Sequence, residues 1–292
     1  MGNQPAVAVV MPNFNKGKFI AESIDSVLSQ TFQDFELIIV DDASTDDSLS
    51  ICRDYANRDQ RVRVLQDEKR RGDCAARNRG ITEASAEVVT FIDSDDVYAP
   101  TKLAKQYEFF GSGGKPPVVY CDFWTMDQDG VVLRSWPHPS SSGMIFGDVL
   151  CFHFGVATGY MATKEALLRV GLFDTSLPWA GVYDMLLKLA RVNEFQYIDD
   201  KLYGYRRYLG NRLNSIDRED RMRIEASIIE KHFRQSPDLL SPEQRKRASR
   251  RLMDRYLISH QFRKLLGRGL ASPANLEYLV RRLVMPPPHG PS

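Results

Sequence analysis

The chain has 292 residues, of which 43% are hydrophobic and 26% charged, and its formal net charge is +1. This balance is ordinary for a globular protein and gives no reason to expect a nucleic-acid partner. The four cysteines include no CxxC pair, which argues against a zinc site or a disulfide framework. The N-terminus shows no signal-peptide pattern. We therefore expect a cytoplasmic protein, with a place at the inner face of the membrane left open.

The first hundred residues alternate apolar, strand-like runs with segments of helical periodicity. Strands are predicted at 6–11, 35–40, 61–66 and 87–92, and helices at 18–30, after 44–45 and at 72–84. Ser44 or Thr45 is expected to cap the second of these helices. Such alternation predicts a mainly parallel sheet with flanking helices, an α/β fold. Because ligands of these sheets bind beyond the carboxyl ends of the strands, the loops after the first, second and fourth strands are the expected site.

The remainder of the chain is less regular. Residues 118–122 and 131–134 are predicted to form a hairpin with its turn at Asp129-Gly130, and two later helices are expected at 166–170 and 183–191. Residues 241–285 hold eleven Lys or Arg against three Asp or Glu, with apolar residues between them. The predicted organisation is a domain at 1–215 with halves 1–100 and 101–215, a basic helical extension at 216–285 and a disordered tail at 286–292.

Acidic residues follow the second and fourth predicted strands. In an extended segment, Asp93 and Asp95 point to the same side and Asp96 to the other. Two such carboxylates suit Mg²⁺ or Mn²⁺ with positions left for phosphate oxygens, although a solvated acidic turn is the structural alternative. Asp41 and Asp42 form a second acidic pair, which either serves the same site or caps the next helix.

Three segments resemble the signatures of glycosyltransferase family 2 in order and spacing. They are VVMPNFNKGKFIAESIDSVLSQTFQDFELIIVDDASTDDS, RGDCAARNRGITEASAEVVTFIDSDD and TGYMATKEALLRVGLFDTSL. The resemblance covers about residues 7–205 and omits the C-terminal extension. It implies a GT-A fold and metal-dependent, inverting transfer of a sugar from a nucleoside-diphosphate sugar to an acceptor hydroxyl.

The resemblance also implies roles for individual residues. Asp42 is expected to accept from the base imide, which favours UDP- or dTDP-sugars, and the ring of Phe14 to stack on the base. Arg77 is either a phosphate contact or a surface arginine paired with a carboxylate, and Trp179 either stacks on a sugar or packs in the core. The implied residues are Pro12, Asn13, Phe14, Asp42, Arg77, Asp93 and Ser94 for the nucleotide sugar, Asp95 and Asp93 for the metal, and Gly159 and Trp179 for the acceptor.

The segment that should carry the catalytic base departs from the family pattern. Val182 stands at the usual position of the base aspartate, and Gly181 at that of the glutamate before it. Three alternatives follow for the catalytic base. Asp184 is the base, or another carboxylate or a histidine such as His153 takes that role, or the chain binds sugar nucleotides with little turnover. The structural alternative for Asp184 is that it only caps a helix. The acceptor is expected to be a polysaccharide, a glycan or a lipid-linked molecule. The basic extension either docks on anionic lipid or is a solvated helical face.

Overall fold

The computed structural model describes residues 4–111, 117–133, 141–151, 159–210 and 216–259. These residues form two compact units. The first comprises the described residues up to Ile145 and from 159 to 210, and the second comprises 146–151 and 216–259. The predicted division placed residues 146–151 in the first domain, whereas they cluster with the C-terminal helices. The predicted boundary at 215 falls outside the described residues and stays a prediction.

Among the described residues, eight strands form one sheet in the order β3-β2-β1-β4-β7-β6-β8-β5. The strands are β1 Val7–Asn13, β2 Phe35–Asp41, β3 Val62–Gln66, β4 Val88–Phe91, β5 Val97–Tyr98, β6 Val118–Met126, β7 Met161–Thr163 and β8 Phe195–Arg206. The helices are α1 Ile20–Leu28, α2 Ser48–Arg58, α3 Asp73–Glu83, α4 Lys102–Gly111, α5 Phe146–Cys151, α6 Lys164–Arg169, α7 Gly181–Ala190, α8 Arg218–Gln235 and α9 Pro242–Ile258.

The sheet is mixed, and its parallel part carries the predicted binding edge. β1 pairs parallel with β2 and β4, and β2 pairs parallel with β3, whereas β7 runs antiparallel to β4 and β6. Every residue of β1, β2 and β4 is buried, as expected for strands with both faces covered. The four strands predicted in the first hundred residues are confirmed. Because the chain leaves β1 toward β2 on one side and β4 lies on the other, the switch point of the sheet is at β1.

The predicted cap of α2 is wrong. The helix begins at Ser48 with Asp47 as its N-cap residue, and Asp47 makes no side-chain cap hydrogen bond. Two hydrogen bonds explain the later start, because they hold the preceding loop in a turn. The N–H of Ser44 donates to the Asp41 carboxylate at 3.0 Å, and that of Thr45 donates to the side-chain oxygen of Asn15 at 2.8 Å.

The predicted hairpin is confirmed only in part, because its second arm returns beside the end of β6 without forming a strand. β6 pairs along its length with β8. The segment after it is joined to the end of β6 by an isolated bridge between Met126 and Val132 and by the N–H groups of Asp127 and Leu133, which donate to the carbonyls of Val131 at 3.0 Å and Thr125 at 2.7 Å. Val131 and Val132 are 61% and 64% exposed, so they have no buried face to place in a sheet. The turn itself is present, with Gly130 at φ 83°. Arg134 lies outside the described residues.

The second unit is held together partly by charge. Glu225 of α8 is buried and accepts from Arg251 and Arg255 of α9, and Arg251 also donates to the carbonyl of Leu150 at 2.8 Å. Some of the basic residues of the predicted extension therefore form buried ion pairs and do not contribute to a solvent-exposed basic face. The rest of the predicted basic extension, with the tail, lies outside the described residues. Of the helices that the structure describes, none is long and apolar enough to cross a membrane.

Candidate functional site

The loops after β1, β2 and β4 meet at one edge of the sheet. The N–H of Asp42 donates to the carbonyl of Asn13 at 2.8 Å, which joins the first two loops. The N–H of Ile92 donates to the carbonyl of Val10 at 3.2 Å, which keeps the exit of β4 beside β1. Residues expected to bind the base and the metal therefore share this edge, as predicted from the parallel topology.

Asp42 faces the loop that leads into α3. The residue is 3% exposed, and its carboxylate accepts the N–H groups of Arg71 at 2.5 Å and Gly72 at 2.8 Å. Neither Asp41 nor Asp42 caps α2, whose N-cap residue is Asp47, so that alternative is wrong. A carboxylate has about four acceptor positions, so Asp42 can accept one more donor. Nearby, the half-buried ring of Phe14 has the guanidinium carbon of Arg70 4.0 Å from its centroid.

Pro12 and Asn13 position the loop after β1. Both are buried, and the side-chain amide of Asn13 donates to Asp41 at 2.7 Å and to Ser48 at 3.0 Å. These hydrogen bonds tie the end of β1 to the end of β2 and to the start of α2. Ser94 is buried in the next acidic turn.

The acidic segment after β4 is a tight turn rather than an extended strand. The N–H of Asp96 donates to the carbonyl of Asp93 at 3.0 Å, so the two-residue alternation assumed for Asp93 and Asp95 does not apply. Asp96 does face away from them, as predicted, because its carboxylate accepts from the Tyr203 hydroxyl at 2.6 Å and from the N–H of Arg206 at 2.8 Å. Burial, with the nearby charges of Asp95 and Asp93, raises the pKa of Asp96 well above its usual value.

Arg77 is buried and joins α3 to the acidic turn, so it is not a surface arginine. It is 2% exposed and pairs with Asp73 of its own helix at 2.7 Å and with Asp93 of the acidic turn. Burial raises the pKa of Asp93; the Arg77 charge opposes that shift, and the charges of Asp95 and Asp73 add to it. The two ion pairs of Arg77 fix one end of the acidic turn against α3.

Asp95 is held by two residues that the sequence analysis did not single out. Lys16 Nζ lies 2.6 Å from Asp95 Oδ2, and the Tyr208 hydroxyl donates to the same oxygen at 2.8 Å. Burial alone would lower the pKa of Lys16, but the charge and hydrogen bond of Asp95 outweigh it and raise that pKa above its usual range. The only sequence signal was the position of Lys16 in the loop directly after β1.

Arg206 binds the backbone of the acidic turn. It is fully buried, and its Nε donates to the backbone carbonyl of Asp95 at 2.8 Å while another nitrogen pairs with Glu22 at 2.6 Å. Its position at the end of β8, far along the chain from the acidic turn, gave no local sequence signal. Arg206 therefore fixes the backbone of the turn and leaves the side chain of Asp95 directed at Lys16.

The donor set of the turn fits a hard divalent ion. Within the described ranges, no group of three His, Cys, Asp or Glu side chains is arranged to hold an ion. Asp93 and Asp95 nevertheless lie in one turn, and each already binds a cationic side chain. Mg²⁺ and Mn²⁺ prefer oxygen ligands, and Mg²⁺ typically takes one or two carboxylates and completes its shell with water and substrate phosphates. The two residues therefore suit an ion that is bound jointly with a diphosphate.

The expected acceptor residues differ in their surroundings. Trp179 is half-buried, and its indole nitrogen is shielded from solvent with no hydrogen-bond partner in the described part of the chain. Gly159 lies in the core, where its carbonyl accepts from Gln106 at 2.8 Å. Roles for both in acceptor binding stay predictions. His153 lies outside the described residues.

The start of α7 explains one departure from the family pattern. A Cβ atom at Gly181 would lie less than 3.0 Å from the sulfur of Cys74 in α3, so a glutamate would fit at this position only if Cys74 rotated or the two helices moved apart. Val182 is half-buried, and Asp184 is fully buried with its Oδ2 3.0 Å from Lys188 Nζ. Ala180, at φ 61°, is the N-cap residue, so the helix-cap alternative for Asp184 is wrong. Its role as a base stays a prediction.

Comparisons with known proteins identify the family of this chain. The model of the family described as glycosyl transferase family 2 matches residues 8–170. Glycosyltransferase GlyG of Streptococcus pneumoniae serotype 4 is 41% identical over 102 residues, which are 35% of this chain and 34% of GlyG. For two further relatives the match spans 43% and 58% of their lengths. This chain thus shares less than two thirds of the length of these relatives.

Two solved structures share the fold. TarS of S. aureus in complex with UDP-GlcNAc has a TM-score of 0.68 at 20% identity, and the likeness covers 92% of this chain and 78% of that one. The mannosyltransferase PcManGT of Pyrobaculum calidifontis, in complex with GDP-Man and Mn²⁺, has a TM-score of 0.58 at 18% identity and covers 97% and 81%. The predicted GT-A fold is confirmed.

Proposed function

The chain belongs to glycosyl transferase family 2, and from this premise we propose that it transfers a sugar from a nucleoside-diphosphate sugar to an acceptor hydroxyl with the help of Mg²⁺ or Mn²⁺. The observation that carries the proposal is the meeting of Asp42 and the Asp93–Asp96 turn at one edge of the sheet. The first offers an acceptor for a base, and the second offers oxygen ligands beside it. A nucleotide sugar needs both at once.

We expect the donor to be oriented by residues in the loops that follow β1, β2 and β3. Asp42, held by two backbone N–H groups, accepts the imide N–H of uracil or thymine, and the ring of Phe14 stacks on the base. Arg70, which now covers that ring, would move aside or stack in turn. UDP- and dTDP-sugars are therefore the proposed donors, because uracil and thymine each present one imide N–H to the acceptor position that remains on Asp42.

Departure of the diphosphate is the step that needs charge stabilisation. A bound divalent ion would neutralise the developing negative charge. Arg77 lies at the same turn through its pair with Asp93 and adds a fixed positive charge. Because both groups are positioned before the reaction, stabilising the leaving group requires little reorganisation.

The acceptor hydroxyl must lose its proton as it attacks the anomeric carbon. We propose that attack is in line and inverts that carbon, with Asp184 as the general base. Asp184 is buried and paired with Lys188, so this role requires α7 to shift when donor and acceptor bind. Trp179, two residues before α7, has a buried indole N–H without a hydrogen-bond partner among the described residues, and the same shift of α7 would have to uncover it before it could donate to a sugar hydroxyl.

The rival proposal is a sugar-nucleotide-binding module with little turnover. It is favoured by Val182 at the usual base position and by the burial of Asp184. The two proposals differ in one measurable respect: an enzyme releases nucleoside diphosphate from UDP- or dTDP-sugar in the presence of Mn²⁺, and a module does not.

The test is a release assay with matched variants. Wild type is expected to release nucleoside diphosphate with Mn²⁺ and to stop when EDTA is added. Asp95→Asn should lower the rate by at least about tenfold because it removes a charged ligand. Asp54→Asn, an exposed aspartate of α2, is the control and should retain the wild-type rate. Donor binding without release in every condition would favour the module.

The acceptor is proposed to be a saccharide or a lipid-linked glycan. The start of α9 exposes Arg245, Lys246 and Arg247, and each basic residue near an anionic surface contributes about 1 kcal/mol to binding. Sedimentation with vesicles that contain an anionic phospholipid tests the lipid-linked option. Equal sedimentation of wild type and a variant with all three changed to glutamine would remove it.

A further inference from the structure

The carboxylate expected to bind the metal already binds a cation of the chain. The ammonium group of Lys16 and the hydroxyl of Tyr208 both donate to Oδ2 of Asp95, and the ammonium group also donates to the Tyr208 hydroxyl. Lys16 Nζ lies 5.1 Å from the centroid of the Tyr208 ring. Two hydrogen bonds thus converge on one oxygen atom of the acidic turn, and a third joins the two donors to each other.

The two cations of the turn differ in how readily they could leave. The side chain of Arg77 is 3% exposed and forks between two aspartates, which fixes it in place. The side chain of Lys16 is 21% exposed and belongs to the loop after β1. An ammonium on a flexible four-carbon stem is exchanged more easily than a buried, forked guanidinium. Lys16 is therefore the exchangeable member of the pair.

A resident cation has a clear physical role here. Three carboxylates within four residues repel one another, and a positive charge at Asp95 offsets that repulsion when no ion is bound. The same charge competes with any incoming ion for Oδ2. A diphosphate would favour the exchange, because it attracts both the ion and the released ammonium group.

We propose that Lys16 and Tyr208 form a latch on Asp95, which a divalent ion must displace to bind. The proposal rests on the metal-dependent part of the proposed function. The latch lowers the affinity of the empty protein for the ion and makes ion binding depend on the donor. Through thermodynamic linkage, a nucleoside diphosphate and the ion then strengthen each other's binding.

The test measures Mn²⁺ binding directly, by the electron paramagnetic resonance signal of the free ion, without any sugar donor. Lys16→Met should bind Mn²⁺ about tenfold more tightly than wild type, since a charged hydrogen bond no longer has to be broken. Tyr208→Phe, which keeps the ring, should bind about two- to threefold more tightly. Lys18→Met removes the same charge from an exposed neighbour and should change the dissociation constant by less than about twofold.

A second measurement separates the latch from a simple change in net charge. Addition of UDP should tighten Mn²⁺ binding to wild type more than it tightens binding to Lys16→Met. Equal dissociation constants for wild type, Lys16→Met and Tyr208→Phe would overturn the latch while leaving the metal site intact, provided that Asp95→Asn abolishes binding. If neither wild type nor any variant binds Mn²⁺, the latch fails together with the metal-dependent part of the function.

If Lys16→Met does not fold, the comparison of Tyr208→Phe with wild type decides whether the latch exists.

Discussion

Replacing Gly181 by alanine would place a methyl group where the sulfur of Cys74 already lies. The new Cβ would be closer than 3.0 Å to that sulfur, with the Cβ of Cys74 at 3.9 Å. Non-bonded carbon and sulfur atoms settle at roughly 3.5–4.0 Å, so α3 and α7 must separate or Cys74 must rotate. Overpacking of this kind costs about 1–3 kcal/mol, against a gain of at most about 1 kcal/mol from replacing a helical glycine. We expect a net loss of about 1–2 kcal/mol in the free energy of unfolding.

Urea unfolding of a double-mutant cycle measures this contact. Cys74→Ala removes the obstructing sulfur at its own modest cost. In that background, Gly181→Ala should be neutral or stabilising, so the two changes should couple by more than about 1 kcal/mol. Donor binding to the Gly181→Ala variant is a second readout, because a wider gap between α3 and α7 also displaces Arg77.

Unchanged stability of Gly181→Ala in the presence of Cys74 would refute this reasoning. It would mean that α3 and α7 are not in close contact at this point. The absence of the family's glutamate would then need an explanation other than lack of space.

Two further predictions concern buried charges. Lys102 is fully buried, with its ammonium bonded to Thr90 and Gln106, and burial lowers its pKa from 10.5 to about 8. A depressed lysine pKa means that the folded state holds the proton less tightly than the unfolded state, so the cost to stability is full below pH 8 and fades as the pH rises toward 10.5. The stability of Lys102→Met relative to wild type should therefore be about 1–3 kcal/mol higher at pH 7 than at pH 10, in addition to a pH-independent cost of about 1–3 kcal/mol for the Gln106 oxygen that loses its donor; a difference that does not change with pH in urea unfolding would contradict this. Asp184→Asn should lower the rate of sugar transfer by at least about a hundredfold if Asp184 is the base, whereas a loss of only a few-fold in a folded variant would exclude that role.

The sheet and its binding edge could be predicted because their signals are local. β1, β2 and β4 are mainly apolar runs, and parallel pairing brings their carboxyl ends together whatever the loops contain. The acidic turn was found for the same reason, since it follows β4 directly. The conformation of the acidic turn was not predicted correctly. The hydrogen bond from the N–H of Asp96 to the carbonyl of Asp93 closes a turn, so the side chains do not alternate as they would in an extended chain.

The contacts that complete the site join residues far apart in the chain. Lys16 meets Asp95 across 79 residues and Tyr208 meets it across 113, and no periodicity in the sequence connects them. The cap of α2 was mispredicted on a smaller scale, because Asp41 and Asn15 engage the backbone that a helix would have used. The close approach of Gly181 to Cys74 depends on how two helices pack and is likewise absent from either local sequence.

The central claim is that one cation and one diphosphate are held together at the edge formed by β1, β2 and β4. Calorimetric titration of UDP into wild type and Asp95→Asn, with Mn²⁺ and then with EDTA, tests it most directly. Mn²⁺ should tighten UDP binding to wild type by at least about tenfold, because Asp95 would help to hold the ion and the ion would attract the diphosphate. Asp95→Asn should bind UDP as wild type does in EDTA and should not respond to Mn²⁺. An undiminished response of Asp95→Asn to Mn²⁺ would contradict the claim.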